Sequence, residues 1–252
     1  MDTTEWISYL EQFNLSAESF QNIPKNTDKY CVIIEPRCHE LLIPVIKNFM
    51  YLLQNKGWGL IIFHGTENEI FLHNELKNWK NVNYFRMQVS NLSSNEYSNL
   101  LCSLNFWDIL LKIGCKHSLI FQVDTVLLKD NIDDFLEYHY IGAPWCVKWL
   151  GILEIGNGGL SLRNVCKMYD IVKNCPRNAI TNLGERYLNN EDIYFSFYLK
   201  IIEGSNIPSI DIAKKFAVET IYHDDTCGLH QPHINKFPDR DAFVKLLSKR
   251  YL

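Results

Sequence analysis

Four short stretches, "KYCVIIEP" (29–36), "LIIFHG" (60–65), "VNYFRM" (82–87) and "SLIFQVD" (118–124), constrain this chain more than any other feature. Three of them are apolar at every core position. Successive side chains of a strand point to opposite sides, so such a run must be buried on both faces. Between the runs lie helical patterns. Leu41, Leu42, Val45, Ile46, Phe49, Leu52 and Leu53 recur at i, i+3, i+4 spacing until "NKGWG" interrupts them. "ENEIFLHNELKNW" reads as a polar-faced helix, and "EYSNLLCSLNFWDILLKIG" as one long amphipathic helix closed by Gly114. Strands alternating with helices predict an α/β fold with a Rossmann-like, mostly parallel central sheet flanked by helices.

The pattern then changes. "YIGAPW", "IGNGGLSLRN", "NNEDIYFSFYL" and "CGLHQPH" do not alternate regularly, and predict an irregular, mixed C-terminal half. Residues 1–28 are polar and weakly patterned and read as an N-terminal cap on a single domain over 29–252. With 252 residues, 47% of them apolar, the chain can bury a sizeable core.

A formal net charge of -4 argues against nucleic acid as a partner. The most apolar segment, "LLIPVIKNFMYLL", is cut by Pro44, Lys47 and Asn48 and is too short to span a bilayer. "MDTTEWISYLEQF" has neither the basic nor the apolar region of a secretory leader, so a cytoplasmic location is expected. The eight cysteines include no C-x-x-C pair and read as reduced thiols.

Four groups of residues could carry chemistry. In "SLIFQVDTVLL" the apolar run breaks at Asp124, either because a strand end meets solvent or because a ligand receives the charge. If the strand continues, Gln122 and Asp124 project to one face, where a hard cation such as Mn or Mg could be held with phosphate oxygens completing its shell. "GNGGLSLRN" (156–164) has three glycines in four residues, a tight turn or an anion-binding concavity. In "LNNEDIYFSFYL" Asn190 suits an N-cap, while Glu191 and Asp192 either favour the helix dipole or supply a general base. The two diverge by ~100° around a helix, so one is expected to face inward. His230 and His233 of "CGLHQPH" are surface polarity or ligands to a metal or phosphate. Trp107, Trp145 and Trp149 are core residues or aromatic faces for a sugar.

The order of these groups, a carboxylate after a mid-chain strand, a glycine turn, an acidic pair opening a helix and a late histidine, resembles the layout of GT-A-fold glycosyltransferases. More narrowly, "VIIEPRCHELLIPVIKNFM", "LIFQVDTVLL", "YIGAPW", "GNGGLSLRN" and "NEDIYFS" resemble a little-characterised glycosyltransferase family with bacterial, eukaryotic and giant-virus members, over roughly residues 30–235. The resemblance implies a GT-A-like domain with a nucleotide-binding half (29–125) and an acceptor-binding half (126–252). It also implies a nucleotide-sugar donor, commonly a UDP-sugar, a hydroxyl-bearing acceptor such as a glycan, and a divalent metal, usually Mn.

On this layout Gln122-Val123-Asp124 takes the Asp-x-Asp place, with Gln122 in place of the first acid, which leaves Asp124 and His230 as metal ligands. Gly158 and Gly159 line the cleft, and Glu191 and Asp192 are the acidic pair, the second as base. Glu35 and Arg37, with His64, Gly65 and Thr66, fall where the nucleotide sits. Two other readings stand beside this one. One is a nucleotide-sugar-binding module without catalysis, suggested by Gln122. The other is a nucleotidyltransferase with a second acid drawn from Asp130, Asp133 or Asp134.

Overall fold

The computed structural model describes residues 4–14, 23–181, 189–232 and 240–248. Its first half alternates as the apolar runs require. After α1 (Thr4–Glu11) come β1 (Lys29–Glu35), α2 (Leu42–Leu52), β2 (Trp58–His64), α3 (Glu69–Glu75) and β3 (Val82–Arg86). Next are α4 (Ser94–Leu101), α5 (Leu104–Ile113) and β4 (His117–Phe121). Short strands follow: β5 (Thr125–Leu127), β6 (Tyr140–Gly142), β7 (Pro144–Trp149), β8 (Leu153–Ile155) and β9 (Leu160–Asn164). The remainder is α6 (Val165–Asn174), α7 (Asn178–Thr181), α8 (Glu191–Ile201), α9 (Ile210–Phe216), β10 (Ala217–Val218), β11 (Gly228–His230) and α10 (Arg240–Leu247).

The central six-stranded sheet has the order β3-β2-β1-β4-β9-β6. Strands β1 to β4 are parallel, and β9 runs against both β4 and β6. Both faces are covered. Cys31 and Ile33 of β1 join the apolar cluster under α1, α2 and α10, while Tyr30, Val32 and Ile34 join the cluster under α5, α6 and α8. Each such side chain contributes about 1.5–3 kcal/mol of burial, so the unbroken runs belong in the middle of a parallel sheet. A charged residue at Ile33 would be incompatible with the layer under α1, α2 and α10.

The long helix expected over 96–114 is two helices. Ser103 interrupts it, its hydroxyl accepting from the Phe106 backbone N–H as an N-cap. Ser93 and Glu96 form a capping box at the start of α4. A serine at a cap satisfies backbone donors that a continuous helix would bond internally, which the apolar periodicity alone does not register. Gly114 ends α5 in the left-handed conformation at φ 88°, as the sequence suggested.

The N-terminal helix enters the core. Trp6, Tyr9, Leu10 and Phe13 are buried against α2 and α10, and the Tyr9 hydroxyl donates to the Leu127 carbonyl at 3.0 Å. Among the described residues no helix is long and apolar enough to cross a membrane.

Candidate functional site

Strand order reverses between β1 and β4: the chain steps outward through β2 and β3 on one side, then returns to build β4, β9 and β6 on the other. In open α/β sheets that crevice, beyond the carboxyl ends of the strands, is where ligands bind. A cavity of about 500 Å³ lies there. Its lining includes Glu35 and Arg37 after β1, Gln122 and Asp124 after β4, Trp6 from α1 and Tyr97 from α4.

Gln122, Val123 and Asp124 do not continue β4. They form a turn into β5, closed by the Thr125 N–H and hydroxyl, which donate to the Gln122 carbonyl at 3.2 and 2.6 Å. The strand alternation expected to align Gln122 with Asp124 is therefore absent, yet the turn brings both to the cavity wall. Asp124 is 27% exposed.

The Glu35 carboxylate is buried and gripped by Arg37, whose Nε and Nη2 donate at 2.8 and 2.7 Å while its backbone N–H adds a third bond at 2.9 Å. These bonds raise the Arg37 pKa against a smaller desolvation effect, with Glu35 and Asp124 adding attraction. His64, Gly65 and Thr66 are not part of the cavity wall. His64 is buried at the end of β2, its ring against Tyr84 and its Nδ1 2.9 Å from the Gly65 carbonyl oxygen. Between these residues and Glu35 stands Asn68, a buried side chain that accepts from the Gly65 N–H and donates to the Glu35 and Arg37 carbonyls. It ties the loops after β1 and β2 together, and nothing in its sequence context announced that role.

Outside the cavity lining, the glycine turn and the acidic pair meet. Gly158 has no room for a side chain: a Cβ there would lie 2.3 Å from Glu191 Oε1 and 3.1 Å from Asp192 Cβ. Both acids thus converge on one residue, although the helical divergence predicted that one would turn away. A Cβ on Gly159 would lie 2.1 Å from His230 Nε2. These two glycines serve close approach, and positive φ is confined within the turn to Gly156, at 130°. The turn's amides are already engaged: those of Gly156 and Asn157 bond the Ala143 carbonyl, Gly158 N–H bonds Asp192 Oδ2, and Gly159 N–H bonds Asn157 Oδ1. A preformed anion concavity is not present, because a carboxylate and an amide oxygen take up the donors it would use.

Asn190 occupies the N-cap of α8 without a side-chain cap bond. Glu191 instead accepts both Nη1 and Nη2 of Arg163, at 2.7 and 3.0 Å. Arg163 is 0% exposed and also donates to Ser161 Oγ at 2.9 Å, and its guanidinium lies over the Tyr140 ring. Burial disfavours its charge, but Glu191 and the neighbouring phenols outweigh that and hold the pKa above its ordinary value. Arg163 is the main site-forming residue that pattern reading missed. It stands in plain view within "LSLRN", but a cation inside an apolar strand signals a buried partner only when that partner is known.

Asp192 behaves differently from its neighbour. Burial first, and then the Glu191 charge, push its pKa up to about 7, against smaller effects of the Ile193 and Gly158 amides and Arg163. A carboxyl poised near neutrality can take a proton at ordinary pH. Tyr97 lines the cavity, its buried hydroxyl toward Gln122 and raised in pKa by burial and by Glu191.

His230 arrives on β11, which pairs antiparallel to β5 with His230 opposite Thr125, next to Asp124. The ring is 5% exposed, with Nε2 3.7 Å from Asp124 Oδ1 and Nδ1 3.5 Å from Glu219 Oε1. Neither nitrogen makes a hydrogen bond. His233 lies outside the described residues. Asp130, Asp133 and Asp134 do not join Asp124. Asp133 pairs with Lys29 at the start of β1 and with Trp58 at the start of β2, and Asp130 pairs with Lys56, which places them at the amino-terminal ends of these strands, away from Asp124. Trp107 is wholly buried, its indole bonded to the Leu101 carbonyl, and is a core residue.

Residues 80–230, more than half of the chain, match the family described as protein of unknown function (DUF5672), and the chain belongs to that family. No curated protein sequence matches. Among solved structures, the apo form of the glycosyltransferase GlyE from Streptococcus pneumoniae TIGR4 is similar with a TM-score of 0.52 and 13% identity, over 89% of this chain and 61% of that one. The chain thus spans less than two thirds of that neighbour. The PaToxG glycosyltransferase aligns at a TM-score of 0.39 and 13% identity, over 79% of this chain and 78% of its own. The fold is a mixed α/β fold of the kind GlyE has.

Proposed function

We propose that the protein is a GT-A-like glycosyltransferase, moving a sugar from a nucleoside-diphosphate donor, a UDP-sugar in the first instance, to a hydroxyl acceptor. The observation that carries the reading is an open crevice at the strand-order reversal, lined by Asp124, together with a carboxyl of near-neutral pKa, Asp192, bonded to the glycine turn whose Gly159 packs against His230, the neighbour of Asp124. The fold shared with GlyE supports it.

Asp192 is assigned as the base of a direct, inverting displacement. Its carboxylate takes the proton of the acceptor hydroxyl as the oxygen bonds to the anomeric carbon. The bond from that carbon to the phosphate oxygen breaks, and the nucleoside diphosphate leaves with the bonding electrons. Glu191 pairs with Arg163, whose Nη2 also donates to the Gly158 carbonyl at 3.4 Å, so the pair holds the glycine turn in place. Glu35 and Arg37 line the nucleotide end of the crevice.

The residues present fit a divalent cation in part. Both ring nitrogens of His230 are buried and unbonded, and Nε2 faces an Asp124 oxygen at 3.7 Å. Among the described residues no group of three or more His, Cys, Asp or Glu could hold a metal. Asp124 and His230 would offer a divalent cation such as Mn one oxygen and one nitrogen, and would depend on the donor's diphosphate for further oxygens. When bound, such an ion neutralises charge growing on the leaving diphosphate.

The test is incubation with a panel of nucleotide sugars and Mn, with chromatography of the nucleotide products. Release of nucleoside diphosphate from a preferred donor, reduced in Asp192→Asn, is the expected result. Donor binding without turnover across the panel would identify a non-catalytic module, and appearance of a nucleotidylated product a nucleotidyltransferase. A product of retained anomeric configuration would remove Asp192 from the role of base.

A further inference from the structure

We propose that Trp6 and Tyr97 read the bound nucleotide sugar, the indole N–H and the phenol O–H donating to uncharged oxygens of its base and sugars. This rests on the nucleotide-sugar reading above, and it gives ligand contacts to an N-terminal helix that the sequence marked only as a cap.

Both residues line the cavity at the strand-order reversal. Trp6 is 3% exposed, and among the described residues its Nε1 has no hydrogen-bond partner. The Tyr97 hydroxyl is likewise buried, and it lies toward Gln122 without bonding it. An indole nitrogen can only donate, so its need for an acceptor does not depend on pH or tautomer. Buried indoles and phenols usually find a partner within the protein. Two that do not, on the lining of one cavity, point to an acceptor that arrives with a ligand.

The donors come to the cavity from opposite faces of the sheet. Trp6 belongs to the apolar layer of α1, α2 and α10, whereas Tyr97 packs on the layer of α5, α6 and α8. Both helices are anchored. Tyr9, one turn beyond Trp6, ties α1 to the Leu127 carbonyl, and the Ser93–Glu96 capping box fixes the start of α4. Donors held in this way lose little side-chain freedom when a ligand binds. Ile34, Leu41, Leu92 and Val123 share the lining. An apolar wall with a few convergent neutral donors suits the oxygen-bearing faces of a nucleoside or sugar, which need orientation and not charge neutralisation.

The test is calorimetric titration with UDP-glucose and GDP-glucose, using whichever binds wild type more tightly, with thermal unfolding of each variant recorded beside it. Trp6→Phe keeps an aromatic ring and loses the donor, while Trp6→His keeps a five-membered ring that can still donate and loses bulk. Tyr97→Phe loses only the hydroxyl. Each Phe variant should bind about 2–10-fold more weakly than wild type, the worth of one hydrogen bond. Trp6→His should bind more tightly than Trp6→Phe although it unfolds at a lower temperature. Tyr97→Phe should unfold no lower than wild type, because the group removed bonds no described residue. Wild-type affinity in either Phe variant would overturn the role of that residue and leave the nucleotide-sugar reading standing. Affinity that follows thermal stability across all three variants would overturn the proposal as well, since packing would then explain the loss. Failure of wild type to bind either nucleotide sugar would instead defeat the nucleotide-sugar reading, and this inference with it.

Discussion

Two arginine–glutamate pairs frame the candidate site, one lining the crevice and one buried beneath the glycine turn, and they differ in almost every physical respect. On the β1 side, Arg37 is 50% exposed and holds a Glu35 that precedes it by two residues. On the β9 side, Arg163 is 0% exposed and reaches a Glu191 distant in sequence, across two elements. The first pair can rearrange when a ligand arrives, because water already solvates half of it. The second cannot, because an unpaired charge there would have no solvent to receive it. On the proposed reading, the contrast gives ligand entry to the exposed pair and rigid support of the glycine turn to the buried one.

The largest effect is expected from breaking the sealed pair. Arg163→Ala should destabilise the protein by about 3–5 kcal/mol, because Glu191 is left charged and buried. Thermal unfolding would report it. Replacing both partners, Arg163→Met with Glu191→Leu, should recover much of that loss. A double variant as unstable as the single one would mean that the guanidinium matters through its contacts with Ser161 and Tyr140 instead.

Next comes the neighbour of that pair. Asp192→Asn should lower the transfer rate by about 10²–10⁴-fold. In wild type the rate should rise as pH passes through about 7, where the carboxyl gives up its proton. Stability should move in the opposite direction. The folded pKa of about 7 exceeds the ordinary 3.8, so between those values the folded state keeps a proton that the unfolded state has lost. Wild-type stability therefore falls as pH climbs from about 4 to about 7 on this group's account. Asp192→Asn lacks that slope and should unfold at a higher temperature than wild type at pH 8, which calorimetry at several pH values would reveal.

The smallest effect belongs to the open pair. Arg37→Met should cost about 1 kcal/mol or less in stability, since solvent screens the half-exposed guanidinium. Its consequence should be seen in nucleotide affinity. If Arg37→Met proved as destabilising as Arg163→Ala, the distinction between the pairs would fail.

How far the site was legible in the sequence follows the same division. β1, β2 and β4 could be read because a strand buried on both faces must be apolar throughout, and that leaves a local signature in "YCVII", "LIIF" and "SLIF". Asp124 was legible as the break in one such run, and Glu191 and Asp192 as acids opening a helix. What those acids do was not legible. Their environments are set by Arg163, Gly158 and burial from elements far away in the chain, which pair Glu191 with a buried guanidinium and raise the pKa of its neighbour Asp192. Asn68 and Tyr97 were missed for the same reason: the Glu35 and Arg37 carbonyls that Asn68 ties down, and the Gln122 and Glu191 near Tyr97, lie at least two elements away. The split at Ser103 was missed because one capping hydroxyl outweighed an amphipathic pattern that ran on through it.

The account stands most directly on where a nucleotide and its cation bind. Crystals grown with UDP and Mn, and measured at the manganese absorption edge, should show an anomalous peak touching Asp124 and His230 Nε2, with the diphosphate beside it and the base toward Glu35 and Arg37. Nucleotide bound away from the crevice between β1 and β4, or a manganese peak remote from Asp124, would contradict it.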